Sequence, residues 1–280
     1  AIAIDGGESR TYEVPTNEPL QLPLTLEHAG QNVVQFTVPE AAGELTDRNN
    51  AAVVQINGIR DRLSVLLVSG EPHPGQRTWR NLLKSDPSVD LVHFTILRPP
   101  DKQDGVPVTE LSLIAFPTRE LFMEAVDDFD LIIFDRYQRR GILPMLYIDN
   151  IRRYVEDGGA LLLAAGPDYA SAASLYRTSL AEILPGRPTA RVIEAPFLPE
   201  ISELGQRHPV TAGLEGAHQA LEGSDQPWGR WMRQIEVTEQ AGQTVMTGDG
   251  GAPLLMLDRV GEGRVALLAS DHAWLWDRGF

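Results

Sequence analysis

Apolar positions follow two different rhythms along this 280-residue chain, and the change comes at about residue 61. Before it, "TYEVP", "LQLPLTLEH", "NVVQFTVPE" and "NNAAVVQIN" alternate apolar and polar residues between Gly, Pro and Asn. Alternation of period two, bounded by turn formers, predicts short strands with one buried face. In the last run Ala52, Val54 and Ile56 alternate with Ala51, Val53 and Gln55, while His28-Ala29-Gly30-Gln31 supplies a hairpin connection. Four or five strands are few for a closed sandwich, which has about seven.

From Leu63 the runs turn continuously apolar, as in strands buried on both faces: "RLSVLLVSGEP", "VDLVHFTIL", "FDLIIFDRY" and "ALLLAAG". Helical spacing fills the gaps between them. "QRTWRNLLKSD" sets Trp79, Leu82 and Leu83 on one face, and "PTRELFMEAV" opens at Pro117 with Leu121, Phe122 and Ala125 in step. "ILPMLYIDNIRRYVEDGG" aligns Leu143, Tyr147, Ile151 and Tyr154 and closes on Gly158. Strands alternating with helices predict an α/β domain, a flavodoxin-like, doubly wound, mainly parallel sheet with helices on both faces.

Beyond Ala170 the pattern loosens. "YASAASLYRTSLAEIL" is expected to be a helix, and "TARVIEAPF", "RQIEVTE", "TVMTG", "PLLMLDRV" and "GRVALLAS" are strand candidates. "GDGGAP" and "GEGR" lack the strand–loop–helix setting of a phosphate loop and are expected to be hairpin turns. The expected division is a β-module over 1–61, incomplete at its start, and an α/β domain over 62–280, truncated at its end.

Composition narrows the chemistry. With 24 Lys and Arg against 39 Asp and Glu, the net charge is −15, and no basic stripe along the sequence offsets it. Nucleic acid is therefore excluded as an expected partner. There is no cysteine, which rules out disulfides, thiolate metal sites and a cysteine nucleophile. No run is long enough to span a bilayer, and the opening "AIAIDGGESR" has no signal-peptide pattern, so the chain reads as a piece of something longer.

In an open parallel sheet, ligands gather at the carboxyl ends of the strands. The residues there are Ser69-Gly70-Glu71-Pro72-His73, Asp135-Arg136-Tyr137, Gly166-Pro167-Asp168 and Ser270-Asp271-His272. Ser69, Ser171 and Ser174 are the nearby hydroxyls, but Asp271 is a poor orienter for the adjacent His272, because neighbours on an extended segment point to opposite sides. His73 and Glu71, with His272 or Asp168 converging, are the only outline of a metal site. No His-x-x-x-His or similar spacing supports it, so no metal and no cofactor are expected. His208 is expected to pin a turn, with Thr211 capping the segment after it. Trp228, Trp231, Trp274 and Trp276 are expected in the core, or lining a groove for sugar or peptide.

Two resemblances bear on this. "GGESRTYEVP … GELTDRNNAAVVQI" resembles the later strands of an immunoglobulin-like sandwich of the adhesion-module kind. The segments "VLLVSGEP", "DLIIFD", "RRYVEDGGALLLAAG", "RHPVTAGL" and "GEGRVALLASDHAW", in that order, resemble the class I glutamine amidotransferase-like superfamily in its ThuA-like and membrane-associated branches. That resemblance implies a nucleophilic cysteine at a strand-to-helix elbow, which falls here on Ala164-Ala165-Gly166, with the nucleophile position at Ala164. It also implies an oxyanion Gly-Gly after the preceding strand, where this chain has Phe134-Asp135-Arg136-Tyr137. His272 lies near the family's catalytic histidine, and with Asp271 it is the residual catalytic candidate. Ser69, Gly70, Glu71, His73, Asp135, Arg136, Gly166 and Asp168 would line a vestigial pocket.

The expected function is therefore a non-catalytic module acting in interaction or scaffolding, its partners being proteins or other segments of the same chain. The resemblance further implies a membrane-anchored bacterial protein with these modules on the extracytoplasmic side, the association made by segments elsewhere. The alternative is a hydrolase or transferase with a non-cysteine site at the strand ends, acting on a carbohydrate or amide. A small-molecule sensor stands between the two.

Overall fold

The computed structural model describes residues 1–15, 21, 24, 26, 30–58, 62–95, 118–139, 141–214 and 229–276. The chain divides into two compact units, Ala1–Arg62 and Leu63–Phe280. Most of the "LQLPLTLEH" run, His28 and Ala29 of the expected hairpin connection, Pro117 and Trp228 lie outside the described residues. No helix among those described is long and apolar enough to cross a membrane.

The first unit is a three-stranded antiparallel sheet, order β1-β2-β3, from Ile2–Ile4 (β1), Gly30–Thr37 (β2) and Ala51–Gly58 (β3). The expected immunoglobulin-like sandwich is corrected here. A sandwich hides two facing sheets, whereas one sheet stands among the described residues, and Val33, Phe36, Val53 and Val54 remain exposed on it. "TYEVP" forms no strand; Arg10 just before it makes a single bridge to Ile2.

The second unit is built on eight strands. They are Leu63–Ser69 (β4), Val89–Thr95 (β5), Leu131–Asp135 (β6), Ala160–Ala164 (β7), Glu200–Ile201 (β9), Gln243–Thr247 (β11), Pro253–Val260 (β12) and Gly263–Leu268 (β13), in the order β5-β4-β6-β7-β13-β12-β11-β9. The strands from β5 to β13 in that order are parallel, and β12, β11 and β9 continue antiparallel. The flavodoxin-like, mainly parallel expectation is thereby corrected to a mixed sheet. The cause is short: Gly261-Glu262 alone joins β12 to β13, and a two-residue link permits only antiparallel pairing. Residues 248–252 close the β11–β12 hairpin in the same way.

Two α-helices cross between parallel strands. Pro74–Ser85 (α1) joins β4 to β5 and Met145–Glu156 (α2) joins β6 to β7. Alternation along β4 divides the core: Val65 and Leu67 pack toward Trp79 and Leu83 of α1, while Leu66 and Val68 join Ile148, Ile151 and Tyr154 of α2. Leu82, expected on the buried face of α1, is 60% exposed. A separate two-stranded ribbon, Gly186–Ile193 (β8) with Gln234–Glu239 (β10), adds Ile235 and Val237 to the α2 side of the core. Leu121 and Phe122 lie in the short helical turn Glu120–Glu124, where buried Phe122 stacks on Tyr147 of α2.

The helix expected after Ala170 is corrected to three 3-10 turns, Pro167–Ala170, Leu175–Arg177 and Ser179–Glu182. Ser174 accepts from the Tyr176 N–H and Thr178 from the Leu180 N–H, each starting a new turn in competition with a continuous helix.

Candidate functional site

The carboxyl ends of β4, β6, β7 and β13 bring together most of the rim residues. Asp135, the last residue of β6, is fully buried and accepts from His73 at 2.8 Å. His73 is also the N-cap of α1: its Nδ1 accepts from the Gly75 N–H at 3.3 Å. That contact assigns the tautomer, with the proton on Nε2 and donated to Asp135 Oδ2. Both nitrogens of His73 are therefore spent on holding the start of α1 against β6.

Arg136 follows with a φ of 46°, left-handed for a non-glycine residue. Such a backbone costs on the order of 1–3 kcal/mol and must be held by its surroundings. Its N–H donates to the Ala164 carbonyl at 3.0 Å, and its guanidinium lies between Asp271, 3.3 Å away, and Glu71, 3.4 Å away. Glu71 also accepts from Gln138 at 2.8 Å. Two glycines make room. A Cβ on Gly70 would lie 2.1 Å from the Arg136 carbonyl oxygen, and one on Gly166 would lie 2.9 Å from Arg136 Cγ.

Asp271 is the hub of the charge network. Its side chain is 1% exposed and accepts two bonds from Arg233, at 3.0 and 2.8 Å. Arg136 on its other side makes the carboxylate a bridge between two guanidiniums. The strain at Arg136 is thus offset by charge-assisted contacts from opposite directions. Arg233 was not foreseen in the sequence. It precedes β10, which belongs to another ribbon, so no spacing linked it to the strand ends.

His272 is enclosed by donors. The Met232 N–H lies 3.2 Å from its Nδ1 and Arg233 Nη2 3.2 Å from its Nε2. Burial pushes its pKa below the ordinary imidazole range; Asp271 opposes this, while Arg233, Arg136 and His73 add to it. A neutral imidazole has a single lone pair, and here a donor faces each ring nitrogen.

The elbow carries no nucleophilic side chain. Ala164 and Ala165 are buried, and the Ala165 N–H is used by the Leu268 carbonyl at 2.8 Å. The 3-10 turn Pro167–Ala170 follows instead of an α-helix, so no helix dipole is aimed at the corner. Asp168 lies in that turn, where its carbonyl accepts from Ser171. The hydroxyls are occupied too. Ser69 is buried against His93 at 3.2 Å, Ser270 donates to the Arg233 carbonyl at 2.6 Å, and Ser174 caps the next turn. Among the described residues, Asp135 Oδ1 is buried with no hydrogen-bond partner.

Among the described residues no group of three or more His, Asp or Glu could hold a metal ion. Glu71 and His73 turn to different partners, Arg136 and Asp135. His208 accepts from the Val210 N–H at 3.2 Å within its turn, whereas Thr211 donates back to the Gly205 carbonyl rather than capping forward. Trp231 is buried in edge-on contact with Trp276 and Phe197, and Trp274 packs in the same cluster.

No family model matches the sequence, and no curated protein does. Solved structures do match. The cytoplasmic protein STM3548 of Salmonella typhimurium is 19% identical with a TM-score of 0.52, over 75% of this chain and 88% of that one. The cytoplasmic protein STM1381 of Salmonella typhimurium LT2 is 17% identical with a TM-score of 0.55, over 76% and 90%. A β-galactosidase from Rahnella sp. R3 aligns at a TM-score of 0.45 with 29% of its own length, too weak a likeness to argue from. The two Salmonella proteins show a shared fold over about three quarters of this chain and nothing about chemistry. They do not point to a flavodoxin-like domain with an immunoglobulin-like sandwich, which agrees with the mixed sheet described above.

Proposed function

We propose that residues 63–280 form a non-catalytic module that acts in interaction or scaffolding, a relative of the glutamine amidotransferase-like proteins that lacks their nucleophile. The kinship is supported by the order of motifs from "VLLVSGEP" to "GEGRVALLASDHAW". The observation that carries the absence of chemistry is the state of the two rim histidines. His73 spends both nitrogens on Gly75 and Asp135, and His272 has a donor against each of its own. Each imidazole lone pair thus already faces a donor, which leaves none free to take a proton from a nucleophile or water as general-base catalysis requires. The buried methyl of Ala164 leaves nothing at the elbow to activate.

A setting on the extracytoplasmic side of a membrane, held there by segments elsewhere in a larger protein, is part of the same proposal. It rests on the resemblance, with which a cysteine-free composition is compatible.

A second reading has one observation in its favour. Asp135 Oδ1 is buried and, among the described residues, unpartnered, and such a carboxylate could take a proton in a hydrolase or transferase reaction at the strand ends. One experiment separates the two: ammonia release from glutamine, with a panel of small esters and amides, for the wild type, His272→Ala and Asp135→Asn. Silence from all three supports the module. Turnover by wild type that is lost in either variant overturns it.

A further inference from the structure

The second unit carries a basic groove along the outer edge of the sheet, which meets the strand-end cluster at Pro72 and His73. Gln76, Arg77, Arg80, Asn81 and Lys84 line one side from α1, and Leu91, His93 and Thr95 line the other from β5. Its volume is about 1030 Å³. Arg77, Arg80 and Lys84 are exposed, and among the described residues none of them has a carboxylate partner. This concentration of cations, a short basic stripe on α1 not foreseen in the sequence, stands in a chain whose net charge is −15. Their mutual influence is felt at His93: burial, then Arg80 and more weakly Lys84, push its pKa below the ordinary imidazole range, with Asp135 opposing.

The other wall is a strand edge. Among the described residues β5 pairs with β4 alone and ends the eight-stranded sheet. An unpaired edge is a template for an added strand, with main-chain bonds for affinity and side-chain pockets for choice. Asp90 belongs to the opposite face of β5, since Leu91, His93 and Thr95 alternate with it. Among the described residues the groove lining therefore offers cations without acids.

We propose that the β5 edge and the basic face of α1 together bind an acidic, extended polypeptide segment, added as a strand beside β5. Spacing supports that occupant. Arg80 and Lys84 are four residues apart on α1, a rise of about 6 Å. Same-face residues two apart on a strand are separated by about 6.6 Å. A segment with Asp or Glu at every second position thus meets the two cations in register, and Arg77 lies one turn further along. Gln76, held by Thr95 at the end of the groove, can bond to the main chain of the added strand.

The partner named here gives content to the interaction reading above and depends on it for its biological sense. The two fail separately, because enzymatic turnover at the strand ends would overturn that reading and leave this groove in place. The probe is a short peptide alternating glutamate and threonine, titrated into the whole chain at low salt. Its controls are a lysine–threonine peptide, the acidic peptide N-methylated at alternate residues, and inorganic phosphate.

The acidic peptide is expected to bind, to weaken about tenfold or more in the Arg80→Glu/Lys84→Glu variant, and to weaken with added salt. Binding should slow hydrogen exchange at the amides of β5. Failure of the acidic peptide to bind, or equal binding of the lysine peptide, overturns the proposal. So does undiminished binding of the N-methylated peptide, which would show charge attraction without strand addition. Displacement of the peptide by millimolar phosphate would reassign the groove to small anions. Folding of the double variant is checked by circular dichroism, and Arg77→Gln supplies a milder reduction of the same charge.

Discussion

Two charged regions of the second unit hold arginines in opposite ways. At the strand ends, Arg136 and Arg233 are mostly buried and both close on Asp271, itself all but inaccessible. On α1, Arg77, Arg80 and Lys84 stand in solvent with no carboxylate against them among the described residues. The first arrangement binds its own chain: the ends of β6 and β13 and the segment before β10 are tied at one carboxylate. The second has cations to offer to another molecule. Charges consumed internally read as architecture, and charges left over read as recognition.

The largest test of that contrast removes the hub. Asp271→Ala leaves two guanidiniums enclosed without their counter-charge, and breaking a buried pair in this way costs about 3–5 kcal/mol. Urea unfolding should show a correspondingly lower midpoint. A loss below about 1 kcal/mol would mean that the cluster is not architectural.

Next in size is Gly70→Ala. The added Cβ would meet the Arg136 carbonyl at 2.1 Å and Tyr137 Cα at 2.6 Å, both backbone, so the turn must move. Overpacking of this kind costs about 1–3 kcal/mol. The same unfolding series measures it, and an unchanged midpoint would show that the left-handed Arg136 is not held in place by Gly70.

Acid titration sharpens the comparison, because each region contains one histidine whose pKa is lowered, His272 in the cluster and His93 in the groove. The unfolded chain takes up their protons first, near the ordinary imidazole pKa of about 6.5. The contribution of each is therefore present above that pH and is lost as the pH falls through the lower folded-state value. Unfolding free energies followed from pH 8 to pH 5 should decline more steeply in wild type than in His272→Gln or His93→Gln. Parallel curves would count against the burial assigned to these side chains.

The smallest effect is expected from Arg80→Glu/Lys84→Glu. Exposed positions without partners change stability by about 0.5 kcal/mol or less. A drop in the melting temperature comparable to that of Asp271→Ala would place these cations among the structural charges and erase the contrast.

Much of the fold could be read before any coordinates. The apolar runs at 63–69, 131–135 and 160–164 became buried strands because a segment buried on both faces has no other composition available in a parallel sheet. The helical spacing of Leu143, Tyr147, Ile151 and Tyr154 was equally plain, since one stripe of α2 faces the core. The mixed character of the sheet was also written in the chain, in the two residues between β12 and β13, but it was outweighed by the βαβ rhythm before them. The immunoglobulin-like reading went astray because alternation tells of one face and says nothing of a second sheet to cover it.

By itself the sequence determined the absence of thiol chemistry, the alanine at the elbow, the acidic balance and the residues that gather at the strand ends. These follow from residue identity and from local periodicity, which any fold of this chain must respect. Only the tertiary structure decided what those residues do. That Asp271 is shared by Arg136 and Arg233, that His73 ties the cap of α1 to Asp135, and that three cations border a strand edge left unpaired among the described residues all depend on segments tens of residues apart. Hydrogen-bond and charge partners are chosen by proximity in space, and a one-dimensional pattern carries no record of that proximity.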